Sequence, residues 1–189
     1  MLSATQIRKG MVLNWDNKLW YVMNANHHTP GNKRAIIQIK MRNLQDGSSR
    51  EQRFSSGDKI EQAYIESNVM EYLYKDGDDH VFINQDTFDQ INIHKEVIGE
   101  DLKWMKENVT CKVSIYEGRV LGVELPAAVT LQVVDTEPPL KGATITNVSK
   151  PATTETGGVV QVPSFIEKGE HIEVDTRDGK YLGRGKAEE

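Results

Sequence analysis

Hydrophobic and polar residues alternate along much of this chain, most clearly between residues 35 and 42. The apolar positions there are Ala35, Ile37, Ile39 and Met41, and they alternate with Ile36, Gln38, Lys40 and Arg42. Because successive side chains of a strand point to opposite faces, this spacing predicts a strand with one buried face and one exposed face. The exposed face carries an amide and two cations.

Short strand-like segments recur along the rest of the chain and predict an all-β protein. The predicted strands are Met11–Trp15, Lys18–Asn26, Ala35–Leu44, Glu51–Phe54, Glu71–Tyr74, His80–Ile83, Val109–Tyr116, Arg119–Glu124, Val129–Thr136, Val159–Val162, His171–Asp175 and Tyr181–Arg184. Pairs that favour tight turns separate several of them, namely Asp46-Gly47, Asp76-Gly77, Glu117-Gly118, Lys168-Gly169 and Asp178-Gly179. Such short strands favour small barrels or sandwiches over a βαβ sheet.

A single helix is predicted at about Gly99–Glu107, where Leu102 and Met105 fall at helical spacing. Acidic residues lie near its start and lysines lie later, in the order that suits the helix dipole. A five-stranded barrel with one short helix is typical of an OB-type unit. Three modules of about sixty residues fit the chain length, with breaks near Pro126 and at Pro138-Pro139.

The segment before residue 35 predicts a basic hairpin tip. Thr29-Pro30-Gly31-Asn32 fits a type II turn, because proline presets φ at the second position and glycine supplies the positive φ of the third. The strand-like run Leu19–Met23 precedes this turn, and Lys33 and Arg34 follow it. A hairpin that is basic at its tip and on its outer face is suited to contact an anionic partner.

The charge of the chain is distributed unevenly. The formal net charge is −5 over 189 residues, but residues 1–63 carry +5, residues 64–126 carry −7 and residues 127–189 carry −3. Local field rather than total charge attracts a partner, so only the first third is a credible surface for a polyanion.

Several classes of protein do not fit the sequence. No apolar run approaches the ~20 residues needed to span a bilayer, and Met1–Lys9 lacks the apolar middle of a signal peptide. Cys111 is the single cysteine, which leaves no disulfide frame and no cysteine-based metal site; we expect it to be a small buried side chain. His27 and His28 are adjacent on a strand and point to opposite faces. We therefore expect a soluble cytoplasmic protein that is not an enzyme and has no cofactor, metal or membrane partner.

Segments along the whole chain resemble a known family in order and spacing. They are Ile7-Arg8-Lys9-Gly10-Met11, Trp20-Tyr21-Val22, Lys40-Met41-Arg42-Asn43-Leu44, Tyr72-Leu73-Tyr74-Lys75-Asp76-Gly77, Asn84-Gln85-Asp86-Thr87-Phe88-Asp89-Gln90, Lys150-Pro151-Ala152-Thr153, Glu155-Thr156-Gly157, Val160-Gln161-Val162-Pro163 and Val174-Asp175-Thr176-Arg177-Asp178-Gly179-Lys180-Tyr181. Each motif alone is weak, but together they resemble bacterial translation elongation factor P.

The resemblance implies three β-barrels in an L-shaped, tRNA-like arrangement. They would be an SH3-like, KOW-type domain over residues 1–63, a central OB domain over 64–126 and a C-terminal OB domain over 127–189. It further implies a monomeric factor that binds the ribosome near the peptidyl-tRNA, stimulates peptide bond formation and relieves stalling at consecutive prolines. The resemblance leaves open whether the factor also contacts mRNA in the exit site. The third barrel favours the bacterial type over the two-module factor of eukaryotes and archaea.

The resemblance also assigns candidate site residues in the N-terminal module. The tip residues Pro30, Gly31, Asn32, Lys33 and Arg34 would contact the end of the peptidyl-tRNA. Lys40 and Arg42 would bind RNA through charge and hydrogen bonds. Family members commonly place a modifiable lysine, and some an arginine, directly after Pro-Gly, where this chain has Asn32. Either the tip works unmodified, which we favour, or Lys33 or Arg34 takes its role in a shifted turn.

Candidate ribosome contacts in the C-terminal module are Asn147, Ser149, Tyr181 and Arg184. Thr146-Asn147-Val148-Ser149 stands where some relatives carry a glycine-rich loop thought to approach the codon, which puts that contact in doubt. Tyr181 and Arg184 are candidates for the small subunit, although Tyr181 could equally be a core residue of the barrel.

Two alternatives to this function stay open from the sequence. One is a paralogue of elongation factor P with a divergent tip and a narrower range of stalling motifs. The other is a generic OB-fold protein that binds single-stranded RNA, which predicts stacking aromatics and cations on the OB modules. The cations concentrate instead in residues 1–63. Sequence leaves open the modification of the tip, the motifs relieved and the angles between modules.

Overall fold

A computed structural model describes residues 1–29, 35–138 and 149–186. Within these ranges the chain forms sixteen strands in three sheets, with one short α-helix and two 3-10 segments. The prediction of an all-β protein is confirmed. Contacts divide the chain into two compact units, one formed by Met1–Asn68 with Val113–Val123 and the other by Val69–Lys112 with Glu124–Glu189. The boundaries of the three modules stay a prediction.

The first sheet has six strands in the order β1-β6-β2-β3-β4-β5. Their bounds are Leu2–Ser3 for β1, Val12–Trp15 for β2, Lys18–His28 for β3, Ile36–Asn43 for β4, Ser49–Ser55 for β5 and Lys59–Ala63 for β6. Ile37, Ile39 and Met41 are fully buried, which confirms the alternation predicted for this segment. Burying such side chains stabilises a fold by roughly 1.5–3 kcal/mol each.

The second sheet has five strands in the order β11-β10-β7-β8-β9. Their bounds are Glu66–Asp76 for β7, Asp79–Asn84 for β8, Gln90–His94 for β9, Thr110–Tyr116 for β10 and Arg119–Glu124 for β11. Cys111 on β10 is buried, as predicted. Burial, helped by the negative charge of Asp101, raises the pKa of its thiol to about 12, so the thiol is protonated at neutral pH.

The predicted helix at Gly99–Glu107 is wrong in its bounds and partly in its type. Helix α1 covers Lys95–Ile98, and a 3-10 helix follows over Gly99–Trp104. The ring Nδ1 of His94 accepts a hydrogen bond from the Glu96 amide at 3.4 Å and so caps α1. Gly99 has φ = 67°, which interrupts the α-helical geometry.

The third sheet has five strands in the order β14-β13-β12-β15-β16. Their bounds are Ala128–Thr136 for β12, Ser149–Thr154 for β13, Val159–Pro163 for β14, His171–Asp175 for β15 and Tyr181–Arg184 for β16. The sequence prediction missed β13, which contains Pro151, and also missed β1, β6 and β9. β1, β6 and β13 are short or largely polar and give little alternation to detect. β9 does alternate, with Ile91 and Ile93 between polar residues, so its alternation was a usable signal.

Tight turns connect many of these strands. The glycines of the five predicted turn pairs all have positive φ, between 61° and 93°. The β2–β3 turn lies between the predicted strands Met11–Trp15 and Lys18–Asn26, and its residues Asp16 and Asn17 have φ of 56° and 57°. Positive φ at two successive residues is the geometry of a type I′ hairpin, which Asn and Asp adopt more readily than other non-glycine residues.

Candidate nucleic-acid interface

The exposed side of strands β3, β4 and β5 carries the predicted RNA-binding residues. We call it the outer face; its members are Asn24, Asn26, His28, Gln38, Lys40, Arg42, Glu51 and Arg53. Antiparallel register places Asn24 opposite Lys40 on β3 and β4, and Lys40 opposite Glu51 on β5. Residues directly opposite in an antiparallel pair share a face of the sheet, so these side chains form one surface.

An irregularity in β3 brings its polar end to the outer face. Val22 pairs with Met41 on the buried side, but the next paired residue, Asn24, is opposite the exposed Lys40. Met23 is therefore the extra residue of a β-bulge, which changes the face that the following side chains occupy. Without this bulge, Asn24 would point toward the core.

The outer face carries more cations than acids among its described residues. Lys40 and Arg53 are exposed and Arg42 is half-buried, against the single carboxylate of Glu51. That carboxylate accepts a hydrogen bond from Gln38 Nε2 at 3.0 Å. Arg42 lies opposite Ser49 rather than opposite an acid. This surface is suited to phosphate oxygens, to which Arg can donate two hydrogen bonds at once.

Arg8 braces the hairpin stem from the other side of the sheet. Its Nη1 donates to the backbone carbonyls of Thr5 and Ile7 at 2.8 Å each, and it lies 3.3 Å from Nε2 of His27. His27 is opposite Ile37 and His28 is opposite Ile36. The two histidines therefore point to opposite faces of the strand, as predicted.

The tip of this hairpin lies outside the described residues. Pro30, Gly31, Asn32, Lys33 and Arg34 all fall in that gap, so their roles stay predictions. The stem on either side is confirmed, because β3 ends at His28 and β4 begins directly opposite at Ile36.

The predicted C-terminal contacts lie mainly on two strands of the third sheet. Ser149 is exposed and begins β13, whereas Asn147 lies outside the described residues. Tyr181 on β16 is half-buried, and desolvation raises the pKa of its phenol. Arg184 ends the same strand, and 58% of its side chain is exposed. The structure thus places Tyr181 and Arg184 on one strand, and their contacts with the ribosome stay a prediction.

Sequence reasoning missed three residues that lie beside candidate site residues, one on the outer face and two beside Arg184. Arg53 belongs to the outer face, and its alternation with buried Phe54 was a usable signal. Phe165 and Glu170 contact Arg184. They lie in the connection between β14 and β15, where no periodicity marks them.

The described residues offer no clear metal site and no membrane helix. No group of three or more His, Cys, Asp or Glu side chains in residues 1–29, 35–138 and 149–186 could hold a metal ion. Within the same ranges, no helix is both long and apolar enough to cross a membrane.

Three family models together match almost the entire chain. The KOW-like domain of elongation factor P matches residues 3–60, its OB domain matches 65–123 and its C-terminal domain matches 129–184. The chain belongs to the elongation factor P family. Members of this family are translation elongation factors, so the function class expected from the sequence is confirmed at this level. The KOW-like and OB domains also confirm the expected small-barrel fold class of an elongation factor P.

Two solved structures show weaker similarity to this elongation factor P family member. Eukaryotic translation initiation factor 5A from Methanococcus jannaschii is 12% identical, with a TM-score of 0.36 over 66% of this chain and 90% of that chain. The translation initiation factor eif-5a family protein from Naegleria fowleri is also 12% identical, with a TM-score of 0.33 over 66% and 96%. At these TM-scores the similarities add nothing to the family assignment.

Proposed function

We propose that this elongation factor P family member binds the ribosome beside the peptidyl-tRNA and stimulates peptide bond formation, relieving stalling at consecutive prolines. The observation that carries the proposal is the cationic outer face at the stem of the hairpin, in a chain matched by all three family domains. We further propose that it acts in the cytoplasm, as a monomer and without catalytic groups of its own.

Positioning can explain stimulation without covalent chemistry by the factor. Proline is a poor partner in peptide transfer because its ring restricts φ and its nitrogen is secondary. Holding the two reactants in a productive geometry can lower a barrier by several kcal/mol, on the order of 7–11 in the best cases. The factor would supply part of this lowering of the barrier by restraining the end of the peptidyl-tRNA.

The outer face would hold RNA mainly through its cations. Lys40 and Arg42 are two residues apart on β4 and therefore point the same way. Arg53 extends the same surface onto β5, opposite Gln38. Phosphates and 2′-hydroxyls are the groups by which proteins usually contact folded RNA, and such contacts need no particular base. This grip would orient the hairpin so that its tip reaches the reacting end of the tRNA.

The tip itself would act unmodified in this proposal. Asn32 stands where relatives carry the modified side chain, and an amide cannot be extended by the chemistry used on a lysine or arginine. Lys33 and Arg34 would then provide the nearest cations. Intact-mass measurement of protein from its native source should show no adduct on residues 29–35; an adduct on Lys33 or Arg34 would contradict this part of the proposal.

The direct test is synthesis of a Pro-Pro-Pro peptide in a reconstituted translation system. Wild-type protein should accelerate it, and absence of any effect, with and without candidate modifying enzymes, would refute the proposed function. Replacing Lys33 and Arg34 together by alanine should abolish the acceleration while circular dichroism stays unchanged. If that variant accelerates the synthesis as much as the wild-type protein does, Lys33 and Arg34 do not perform the proposed role at the tip.

A second set of variants tests the outer face. Lys40→Ala with Arg42→Ala should weaken ribosome binding and reduce the slope of log affinity against log salt by about one to two. Lys75→Ala is the matched control, because Lys75 is an exposed strand lysine of the acidic middle segment. Equal losses for the control and the double variant would mean that the outer face is not the RNA contact.

A further inference from the structure

The half of the β3–β4 hairpin nearer its tip has one edge without a partner strand. Strand β2 pairs with β3 only along residues 18–21, and two further backbone hydrogen bonds extend this contact to Val22. Beyond Val22, none of the described strands pairs with this edge of β3, whereas β4 continues along the other edge. The support from β2 therefore ends where the distal stem begins, which we define as residues 24–28 together with 36–40.

The β-bulge of β3 lies directly before this distal stem. The register between β3 and β4 shifts between Val22 and Asn24, so Met23 separates the part of β3 that β2 supports from the part that it does not. A bulge disrupts the ladder locally and bends its strand. The direction of the distal stem therefore depends on contacts other than pairing with β2.

Arg8 supplies such a contact. Its Nη1 donates to the carbonyls of Thr5 and Ile7 at 2.8 Å each, and it lies 3.3 Å from Nε2 of His27 on the distal stem. Because a guanidinium has only donors, Nε2 of His27 is the acceptor, and the neutral ring then carries its proton on Nδ1. We call these contacts of Arg8 the arginine link.

The segment that carries Arg8 is itself anchored in the core of the first sheet. Ala4 and Ile7 are fully buried, and the amide of Ala4 donates to the carbonyl of Asp58 at 2.9 Å. Buried side chains are closely packed and move little. The arginine link therefore joins the distal stem to a fixed point.

The opposite edge of the distal stem is connected to the same segment. Strand β5 pairs with β4 up to Ile36, and the amide of Ser56 then donates to the carbonyl of Ala35 at 3.0 Å. The carbonyl of Ser56 in turn accepts from the hydroxyl of Ser3 at 3.3 Å. Both edges of the distal stem thus reach residues 3–8, one through a backbone ladder and the other through the arginine link.

We propose that Arg8 and His27 are positioning residues that fix the direction of the distal stem and thereby the place of the hairpin tip. The inference rests on the proposed function, in which the tip acts at the end of the peptidyl-tRNA. Catalysis by orientation depends steeply on geometry, and a misplacement of about 1 Å can reduce a rate about 100-fold. His27 lies on the opposite side of β3 from the outer face, so loss of the link lowers the maximal rate of synthesis and leaves ribosome binding by the outer face intact.

Amide hydrogen exchange of the full-length protein tests the arginine link without the ribosome. In Arg8→Ala, the amides of residues 24–28 should exchange about threefold or more faster than in wild type, whereas those of residues 18–21 should keep their rates. His27→Leu should act in the same direction, and since His27 is exposed, this change opens no cavity. His27→Gln retains an acceptor and should restore most of the protection.

The double variant Arg8→Ala with His27→Leu shows whether the two side chains act through one contact. Its amides at residues 24–28 should exchange no faster than those of Arg8→Ala alone, because both changes remove the same contact. Unchanged exchange in Arg8→Ala, or additive effects in the double variant, overturns the proposal.

Synthesis of the Pro-Pro-Pro peptide tests the positioning role. Arg8→Ala and His27→Leu should each lower the maximal rate at saturating factor about fivefold or more. The factor concentration that gives half-maximal stimulation should change by less than about twofold, because the cations of the outer face are retained. His27→Gln should restore most of the maximal rate. Lys18→Ala is the matched control, since it removes an exposed cation from the other end of β3, and it should change neither quantity.

Arg8→Lys separates positioning from a direct contact between Arg8 and RNA. Lysine keeps the charge but lacks the planar guanidinium, so this variant should also lower the maximal rate. If Arg8→Ala instead raises only the half-maximal concentration and Arg8→Lys restores it, Arg8 binds RNA and the proposal is wrong. If wild-type protein stimulates synthesis and all these variants match it, only this inference has failed. If wild-type protein does not stimulate synthesis, the proposed function has failed, and the exchange rates decide separately whether Arg8 and His27 hold the distal stem.

Discussion

Two contacts in this protein place a large aromatic ring where a glycine leaves room for it, but they are stabilised differently. In the first, here called the hairpin contact, a Cβ added to Gly122 on β11 would lie 2.7 Å from Cζ of Tyr21. In the second, the tryptophan contact, a Cβ added to Gly158 would lie 2.8 Å from Cε3 of Trp104, and one on Gly179 would lie 2.8 Å from its Cζ2. Real Cβ atoms do not approach other heavy atoms so closely, so both contacts require glycine.

The hairpin contact is mainly apolar. Tyr21, Val12 and Leu44 form its buried cluster, and the half-buried side chains packed against them are Leu19, Met23, Ala63, Ile65, Tyr116 and Leu121. Nη2 of Arg119 also donates a hydrogen bond of 3.1 Å to the carbonyl of Leu44. The acceptor of that bond is a backbone carbonyl rather than a carboxylate.

The tryptophan contact adds polar and ionic groups to the buried ring. Trp104 is 3% exposed, and the hydroxyl of Thr156 donates to the carbonyl of Lys103 at 2.6 Å. Nζ of Lys106 lies 3.6 Å from a carboxylate oxygen of Glu155. The turn that presents Gly179 is held by the Asp175 carboxylate, which accepts from the Arg177 amide at 2.9 Å.

Each contact joins residues that different family domains match. The hairpin contact links the KOW-like and OB ranges, and the tryptophan contact links the OB and C-terminal ranges. The two contacts thus share the packing of an aromatic ring against glycine, but apolar side chains surround the first, whereas a hydrogen bond and an ion pair accompany the second. This difference predicts that the two contacts respond differently to mutation and to acid.

The largest expected effect comes from removing the ring of the tryptophan contact. Trp104→Ala should lower the free energy of unfolding of the second unit by about 3–5 kcal/mol, because it deletes a buried aromatic and leaves a cavity. Native-state hydrogen exchange can measure this, with the amides of β4 in the first unit as the internal control. Loss of protection that is equal in β4 and in β12 would contradict the localisation.

The next effect compares the two glycines directly. Gly158→Ala should destabilise by about 2–3 kcal/mol and Gly122→Ala by about 1–2 kcal/mol, within the range for overpacked cores. The order follows because the Cβ at position 158 also lies 2.8 Å from the backbone carbonyl of Lys103, whereas at position 122 the three nearest atoms belong to the Tyr21 side chain.

Denaturant unfolding of the two single variants tests this order. Combining Gly122→Ala with Tyr21→Leu should recover part of the loss by removing the ring end that clashes, whereas Gly158→Ala with Trp104→Leu retains the clash with the carbonyl. A reversed order, or equal recovery in both double variants, would show that the backbone carbonyl is not what distinguishes the contacts.

Acid should affect the tryptophan contact and leave the hairpin contact unchanged. The side-chain hydrogen bond from Arg177, followed by the bond from its backbone amide, lowers the pKa of Asp175 from 3.8 to about 2. A lowered carboxyl pKa contributes stability that is complete above about pH 4 and is lost as the pH falls through 2. Asp175→Asn should therefore lower the free energy of unfolding by about 1 kcal/mol at pH 7. It should also make that free energy depend less steeply on pH below pH 4.

Urea titrations of wild type and Asp175→Asn between pH 2 and pH 7 would check this. The difference between the two proteins should shrink below pH 4 and be small at pH 2, where about half of the Asp175 carboxyl groups are protonated. A difference that stays constant across the whole range would mean that the Asp175 charge does not support the turn at Gly179.

The smallest expected effect is the loss of one hydroxyl from the tryptophan contact. Thr156→Val keeps the shape of the side chain but removes its bond to the Lys103 carbonyl, and should cost about 0.5–1 kcal/mol since water can reach that exposed carbonyl. Thr110→Val, at an exposed strand position of β10, is a matched control. If the two substitutions have equal effects, the hydrogen bond from Thr156 to the Lys103 carbonyl does not stabilise the tryptophan contact.

Several parts of the fold could be predicted from the sequence because they depend on local pattern. The alternation from Ala35 to Arg42 predicted the buried and exposed faces of β4, and the glycine pairs predicted the turns. The strand β6 gave no such signal, because Ile60 is its only buried side chain and Glu61 and Gln62 are both exposed. The helix bounds were wrong because Gly99 was taken as a start, whereas it marks the change from α to 3-10 geometry.

The candidate site divides in the same way. Lys40 and Arg42 could be placed on one face from their spacing alone. Asn24 lies on that face because of the bulge in β3, and Arg53 lies there because of the register between β4 and β5. Phe165 and Glu170 could not be assigned to Arg184, because their contacts link a loop to a later strand.

The sequence by itself determined the strand-rich texture, the turns, the basic first third and, through motifs spread over the chain, the family. These follow from properties of neighbouring residues: side-chain period, backbone preference and local charge. Only the tertiary structure decided which rings meet which glycines, where β3 bulges and how Arg184 is held. Those contacts join residues far apart in the chain, and their energies depend on distances of a few tenths of an ångström that no local pattern encodes.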